Sequence, residues 1–272
     1  DESFFSEHDI EKGLMTLVGE EEQLHLLNVL TDKYGIKKQA GGGSAANTLY
    51  ALSQFGGNAY LSCKVANDET GDFYIEALGH QSIETNTEGR REEGTTGRCI
   101  VMISPDAERT MHTFLGVSET VSTQEIDFDA VKQSEYVYIE GYLVTSPSAM
   151  AAVIELKDFA DKNNIKTAMT FSDPAMVQFF KDGLNEMLGE RVDLLFCNEA
   201  EATSFSDTDN VDAALEALKP RCGSAVITLG ADGALVWDGE QTHRIDPVPV
   251  KAIDSNGAGD MFAGAFLYAI TH

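Results

Sequence analysis

The run DSNGAGD, Asp254 to Asp260, sets glycines between carboxylates directly ahead of an apolar stretch, MFAGAFLYAI. Gly257, Ala258 and Gly259 can bare consecutive backbone N–H groups at a helix start, where the helix dipole favours an anion. Asp260 falls in that first turn, and two roles fit it. One is charge–dipole stabilisation worth ~0.3–1 kcal/mol, which any acid could supply. The other is a general base beside an anion hole, taking a proton from a hydroxyl while the N–H groups hold charge on a transferred phosphoryl group.

Three more stretches combine glycine or amide groups with element ends. AGGGSAAN, Ala40 to Asn47, places three glycines before a helix start that Ser44 is expected to cap. Gly42 and Gly43 permit close backbone approach to a ligand, and Asn47, one turn in, can aim an amide at a ligand hydroxyl. The same residues also suit an ordinary tight turn with a Ser cap. CNEAEA follows the apolar run VDLLF, with Asn198 and Glu201 three apart. That spacing is a capping-box pattern, and it equally places a carboxylate where Mg²⁺ could be organised directly or through water. TLGADG delivers Thr228, Gly230 and Gly233 after another apolar run. Phosphate oxygens held by backbone N–H groups and the start of a hairpin are both open readings.

The elements that position these residues follow from periodicity. Continuous apolar runs at YVYIEGYLV (136–144), IKTAMTF, VDLLFC and SAVITLG predict strands buried on both faces, with helical segments between them. Further helices are expected at EEEQLHLLNVLTDKYG, with Leu24, Leu27 and Leu30 on one face, at 44–56, at 70–81, and at 147–164 with Pro147 in its first turn. NAYLSCKVA (58–66) reads as a strand, and GALVWDGEQTHRID as a hairpin turning at Asp238-Gly239. Strands alternating with helices give an α/β fold with a mostly parallel sheet covered on both sides. Ligands bind such sheets beyond the C-terminal strand ends, where the four stretches lie. RCIVMIS (98–104) and RTMHTFL (109–115), joined by PDAE, break the alternation and are expected to form a small β-lid with LMTLV at 14–18. The boundaries read as a core of 21–82 and 117–272 and a lid of 1–20 and 83–116.

Composition narrows the function classes. The 272 residues carry 19 Lys and Arg against 45 Asp and Glu, a net charge of −26, and residues 1–22 alone hold eight acids and one Lys. Such a surface repels phosphodiester backbones and anionic lipids, so nucleic acid and membrane are poor partners. A nucleotide would need backbone N–H groups, a cation and a helix N-terminus to offset the field. Solubility alone is also a sufficient reason for the acidity. The four cysteines, without CxxC spacing, suit reduced cytosolic thiols, so a cytoplasmic location is expected, and the six histidines show no ligand spacing. No GxGxxG or GxxxxGK[ST] occurs. A nicotinamide oxidoreductase and a P-loop enzyme are therefore disfavoured.

Taken in order, the four stretches resemble the ribokinase (PfkB) family of carbohydrate and nucleoside kinases. DSNGAGD resembles its C-terminal DTxGAGD signature, with Ser255 in place of Thr, GGGSAAN its glycine signature, NEAE its NxxE motif, and TLGADG its T-x-G-x-x-G segment. AMTFSDPAMVQFF, VDLLFCNEAEATSF and Asn256 are similar to the adenosine kinase branch. The resemblance implies a ribokinase-like three-layer fold with a β-lid, and transfer of the ATP γ-phosphate to a primary hydroxyl of a sugar or nucleoside. A non-catalytic sugar- or nucleotide-binding module on the same fold is the alternative. It implies Asp260 as base and Gly257, Ala258 and Gly259 as anion hole, with Gly42, Gly43 and Asn47 at the acceptor. Asn198, Thr228, Gly230, Gly233 and Asn256 fall by the nucleotide, and Glu201 serves Mg²⁺. Arg109, with Arg98 as its competitor, would swing from the lid over the phosphate. ATP and Mg²⁺ are the implied cofactors, activation by a monovalent cation is left open, and the protein would be a monomer or a lid-mediated homodimer. The chain starts at what resembles lid sequence. The family's opening strand with its substrate-binding Asp, and the C-terminal part that closes an adenine pocket, are expected outside it.

Overall fold

The computed structural model describes residues 2–105, 109–251 and 255–272. Helix α1 (Glu2–Glu7), strand β1 (Met15–Leu17) and helix α2 (Glu20–Tyr34) lead to α3 (Ser44–Gln54), β2 (Ala59–Leu61), α4 (Glu69–Gly79) and β3 (Ile83–Thr85). The strands β4 (Thr96–Ile103) and β5 (Arg109–Gly116) come next, followed by α5 (Phe128–Lys132) and β6 (Tyr136–Glu140). An alternating series follows: α6 (Pro147–Lys162), β7 (Lys166–Thr170), α7 (Pro174–Leu188), β8 (Val192–Asn198), α8 (Glu199–Ser206), α9 (Val211–Leu218) and β9 (Cys222–Thr228). Last are β10 (Ala234–Trp237), β11 (Thr242–Ile245) and α10 (Ala258–Thr271).

The main sheet has six strands in the order β11-β10-β9-β8-β7-β6, with β6 to β9 mutually parallel and β10 and β11 antiparallel. The continuous apolar runs are explained by burial of both faces. Met169, Leu195, Cys197 and Ile227 point into a core shared with Val153 of α6, Leu184 of α7, Ala202 of α8 and Leu215 of α9. Their neighbours Ala168, Leu194, Phe196 and Val226 point the other way, against Ala263 and Leu267 of α10 and Leu52 of α3. Side chains two apart share a face, so such a strand has no polar position to spare. The caps agree with the sequence: the Ser146 Oγ accepts from Ala149 N with Pro147 at the first helical position, and Asp238 Oδ1 accepts from Glu240 N (2.8 Å) and Gln241 N (2.7 Å) in the hairpin turn.

Two expected strands are shorter than their apolar runs. In 136–144 the strand ends at Glu140, because a Cβ at Gly141 would stand 2.5 Å from the Phe171 carbonyl oxygen while the Gly141 N–H donates to Ser172 Oγ at 2.7 Å. The chain then turns through Gly141–Thr145, which leaves the Glu140 carboxylate at the strand's C-terminal edge. In 58–66 only Ala59–Leu61 pairs as a strand, with β3. Beyond it, side chains replace the ladder: Asn86 exchanges both amide bonds with the Cys63 backbone, and Thr96 Oγ1 accepts from Ala66 N.

The lid is a three-stranded sheet, β1-β5-β4, with Met15 beside Met111 and Met111 beside Val101. Its back is covered by α1 and α2, whose Phe4, Phe5 and Leu26 cluster with Ile10 and with Met102 of β4. The face of α2 differs from the expected one: Leu24 is exposed, and Gln23 and Leu26 are buried. Gln23 is only 1% exposed because its Nε2 donates to the carbonyls of Arg98 (2.6 Å) and His112 (3.3 Å), pinning helix to sheet. Helix α2 therefore packs with the lid although the expected boundary assigned it to the core, and β3 pairs with core strand β2 although 83–85 had been assigned to the lid. The PDAE turn beyond Pro105, and Asp254 of the glycine motif, lie outside the described residues. Among the described residues no helix is long and apolar enough to cross a membrane.

Candidate active site

Helices α3 and α10, distant in sequence, cross on one face of the sheet. Their closeness depends on small residues: a Cβ on Gly264 would fall 2.1 Å from the Thr48 carbonyl oxygen and 2.7 Å from the Ala51 Cβ. The crossing brings two N-termini together. Asp260 Oδ1 accepts from Ser44 Oγ at 2.9 Å, and its Oδ2 accepts from Asn47 Nδ2 at 2.9 Å. Burial pushes the Asp260 carboxyl above the ordinary Asp range, while the Asn47 and Ser44 hydrogen bonds and the Arg109 guanidinium pull it back. The result is an ionisable carboxylate with fixed orientation and raised proton affinity.

Ser44 is not the cap expected from the sequence. Gly43, at φ +100°, is the N-cap, which moves Ser44 into the first turn and frees its hydroxyl for Asp260. Asn47, expected to face a ligand, holds the carboxylate with its amide nitrogen. In the anion-hole stretch, Gly257 adopts φ +72°, with Asn47 Nδ2 only 3.5 Å from where its Cβ would be. Ala258 departs from the expected trio of bare groups, since its N–H turns back to Ser255 O at 3.1 Å. A Cβ at Gly259 would meet nothing within 4 Å, so the first turn of this 14-residue helix is open on that side.

A cleft of about 2170 Å³ between lid and sheet is lined by Gly42, Gly43, Asn47, Arg109, Asn198 and Glu201, and also by Thr228, Asn256 and the whole Gly257–Asp260 turn. Gly230 and Gly233 do not line it. Gly233 has a packing reason to be glycine, because a Cβ there would stand 2.0 Å from the Ile245 carbonyl oxygen. Asn198 and Thr228 are register partners at the C-terminal edges of β8 and β9. Asn198 and Glu201 form the full capping box. Asn198 Oδ1 accepts from Glu201 N (2.8 Å), while Glu201 accepts from Asn198 N (3.0 Å) and Nδ2 (2.7 Å). Burial, opposed by that backbone bond and assisted by the Asp173 and Asp260 charges, lifts the Glu201 carboxyl to about 7. Of the two lid arginines, Arg109 reaches the site, its Nη1 donating to Asn256 Oδ1 at 2.9 Å. Arg98 stands towards α2, 4.0 Å from Glu20.

Glu140 was missed by the sequence reading. Its Oε2 accepts from Ala45 N at 2.8 Å, and burial raises its pKa, with the Ala45 bond opposing and the Asp260 charge adding. The signal that could have found it was a carboxylate inside an otherwise apolar strand run, followed at once by glycine.

A family model described as pfkB family carbohydrate kinase matches residues 14–272. The chain belongs to the pfkB family. An adenosine kinase structure from Sinorhizobium meliloti superposes with a TM-score of 0.90 at 33% identity, covering 100% of this chain and 82% of that one. Adenosine kinase 1 of Arabidopsis thaliana is 25% identical over 100% of this chain and 83% of its own length, and mouse (Mus musculus) ribokinase is 28% identical over 85% and 71%. Within the pfkB family the chain sits with the adenosine kinase-like branch, and it is a carbohydrate or nucleoside kinase with the ribokinase-like α/β fold. The non-catalytic alternative gives way to that membership.

Proposed function

We propose that this kinase transfers the γ-phosphate of ATP to a primary hydroxyl of a nucleoside or ribose-like sugar, with Asp260 as the general base. One observation carries the reading: a single carboxylate, held at both oxygens by α3, stands in the first turn of α10 beside an open glycine turn. An acceptor hydroxyl in hydrogen-bond reach of Asp260 would face the same N–H groups that hold the transferring phosphoryl charge. The transition state of phosphoryl transfer is loose, so the base is needed chiefly to orient the hydroxyl and take its proton as the new bond forms. Arg109, standing on Asn256 at the rim, would supply a cation to the phosphates. Gly42 and Gly43 would lie against the acceptor, and Thr228 towards the nucleotide.

The donor set suits a hydrated Mg²⁺. Both Glu201 oxygens already accept one hydrogen bond from Asn198, which leaves lone pairs for water rather than an open carboxylate for direct ligation. Among the described residues no three His, Cys, Asp or Glu side chains gather at metal-binding distance. Asn198 and Glu201 would therefore hold the ion through water, and when bound it would neutralise charge on the phosphates.

A coupled ADP-release assay with adenosine, ribose and fructose tests the reading. ADP formation with a nucleoside or ribose and not with acceptor omitted is expected. No acceptor-dependent ADP from any of the three, with ATP and Mg²⁺ saturating, would contradict it.

A further inference from the structure

The lid carries an ionisable group that the reaction at Asp260 does not use. On β5, Arg109 lines the cleft, and three residues on His112 takes the opposite face of the strand, beneath α2. Its register partner is Ile100, which packs with Met102, Phe4, Phe5 and Leu26, so the ring lies on the face that α1 and α2 cover. His112 is only 6% exposed, and among the described residues its buried Nδ1 has no hydrogen-bond partner. Gln23 of α2 spans the place, its Nε2 shared between the carbonyls of Arg98 and His112.

A neutral imidazole can leave one nitrogen as a bare lone pair in such a seam. An imidazolium cannot, because both nitrogens then donate, and Nδ1–H would be a buried, charged donor with no acceptor. The surrounding charges do not reverse this. Glu22 of α2 favours protonation, but Arg98 of β4 stands at the same Gln23 amide and turns its guanidinium to Glu20 of α2 at 4.0 Å. Strand β1 brings Met15, Thr16 and Leu17, none of which titrates, while α1 sends in Phe4 and Phe5 and its Glu7 pairs with Lys33 at 3.7 Å. Burial outweighs Glu22 and holds the His112 ring below the ordinary His range.

We propose that His112 is a pH-sensitive latch between α2 and the lid sheet: the neutral ring lets the helix dock, and protonation releases it. The docked state is favoured in full above the ordinary His pKa and is lost as pH falls through the lower value of the docked ring. Release reaches the site by two routes. Strand β5 carries Arg109 to Asn256, and α2 runs on through 35–43 to Gly43, where α3 begins and holds Asp260.

Hydrogen exchange read by mass spectrometry on the whole ligand-free chain tests this, with rates corrected for their intrinsic pH dependence. Between about pH 7.5 and pH 5, the amides of α2 should exchange about fivefold faster or more in wild type, while those of β8 in the main sheet hold steady. His112→Phe keeps a ring in the seam and cannot titrate, so its α2 rates should stay flat over that range. Glu22→Gln removes the charge that favours the imidazolium and should move the onset to lower pH, a check that stands even where the Phe variant does not fold. Flat α2 rates in wild type, an equal rise in His112→Phe, an equal rise in β8, or an unmoved onset in Glu22→Gln would overturn the latch.

Discussion

In the proposed reaction Ser44 acts through Asp260, so Ser44→Ala tests how the proposed base is held. The variant deletes one hydroxyl that donates to a part-buried carboxylate at 2.9 Å and leaves the Asn47 bond in place. Hydrogen bonds to charged groups contribute about 1.5–3 kcal/mol, and the lower end applies here because Ser44 is only part-buried and water can take its place. The bond stabilises the charged form of Asp260, so its loss raises the pKa. At 1.36 kcal/mol per unit, ~1.5 kcal/mol moves the acid limb of kcat/KM up by about one pH unit. The sign follows from the role of a base: activity appears as Asp260 loses its proton, and the variant needs a higher pH to lose it. About tenfold lower activity is expected below the limb, and activity within about threefold of wild type well above it. A coupled ADP assay run across pH with acceptor below KM gives the profile directly. An unmoved limb, or an equal fall at every pH, would refute the reasoning, because Ser44 would then serve only the helix start.

Two other variants test the scaffold. Gly264→Ala drives a methyl into the Thr48 carbonyl at the α3–α10 crossing; it should cost about 1–3 kcal/mol in a denaturant melt and lower kcat by parting Asp260 from Ser44 and Asn47, whereas a stable variant with full kcat would show that the crossing does not set the site. Glu201 has a folded pKa raised from 4.5 to about 7, so its contribution to stability is fully present below the ordinary Glu pKa and is lost as pH rises through about 7. Glu201→Gln removes that titration, and its melting temperature should gain on wild type between pH 5 and pH 8; parallel curves would contradict the burial assigned to Glu201.

The parallel sheet was legible because its strands are apolar without interruption, the starts of α6 and α8 because Pro147 and Asn198 announce them, and the β10–β11 hairpin because Asp238-Gly239 announces its turn. What failed was local and had local causes. The strand at 136–144 stopped early because Gly141 lies against the Phe171 carbonyl, and no period in the sequence encodes that contact. The face of α2 was misjudged because leucine spacing alone put Leu24 on it, whereas two lid carbonyls draw the Gln23 amide inward. At the site, the glycine motifs pointed to the correct helix starts. The pairing of Ser44 and Asn47 with Asp260 depends on residues more than two hundred positions apart, and only the crossing of α3 and α10 joins them. Glu140 escaped notice for a related reason, since it sits in a strand whose pattern speaks of core.

Asp260→Asn measures the central claim most directly. The asparagine keeps the size of the side chain and removes the basic oxygen, so single-turnover formation of phosphorylated acceptor should fall by about 10²–10⁴, with ATP affinity within a few-fold of wild type. Phosphoryl transfer within tenfold of wild type in that variant, with ATP still bound, would contradict the assignment of Asp260 as the base.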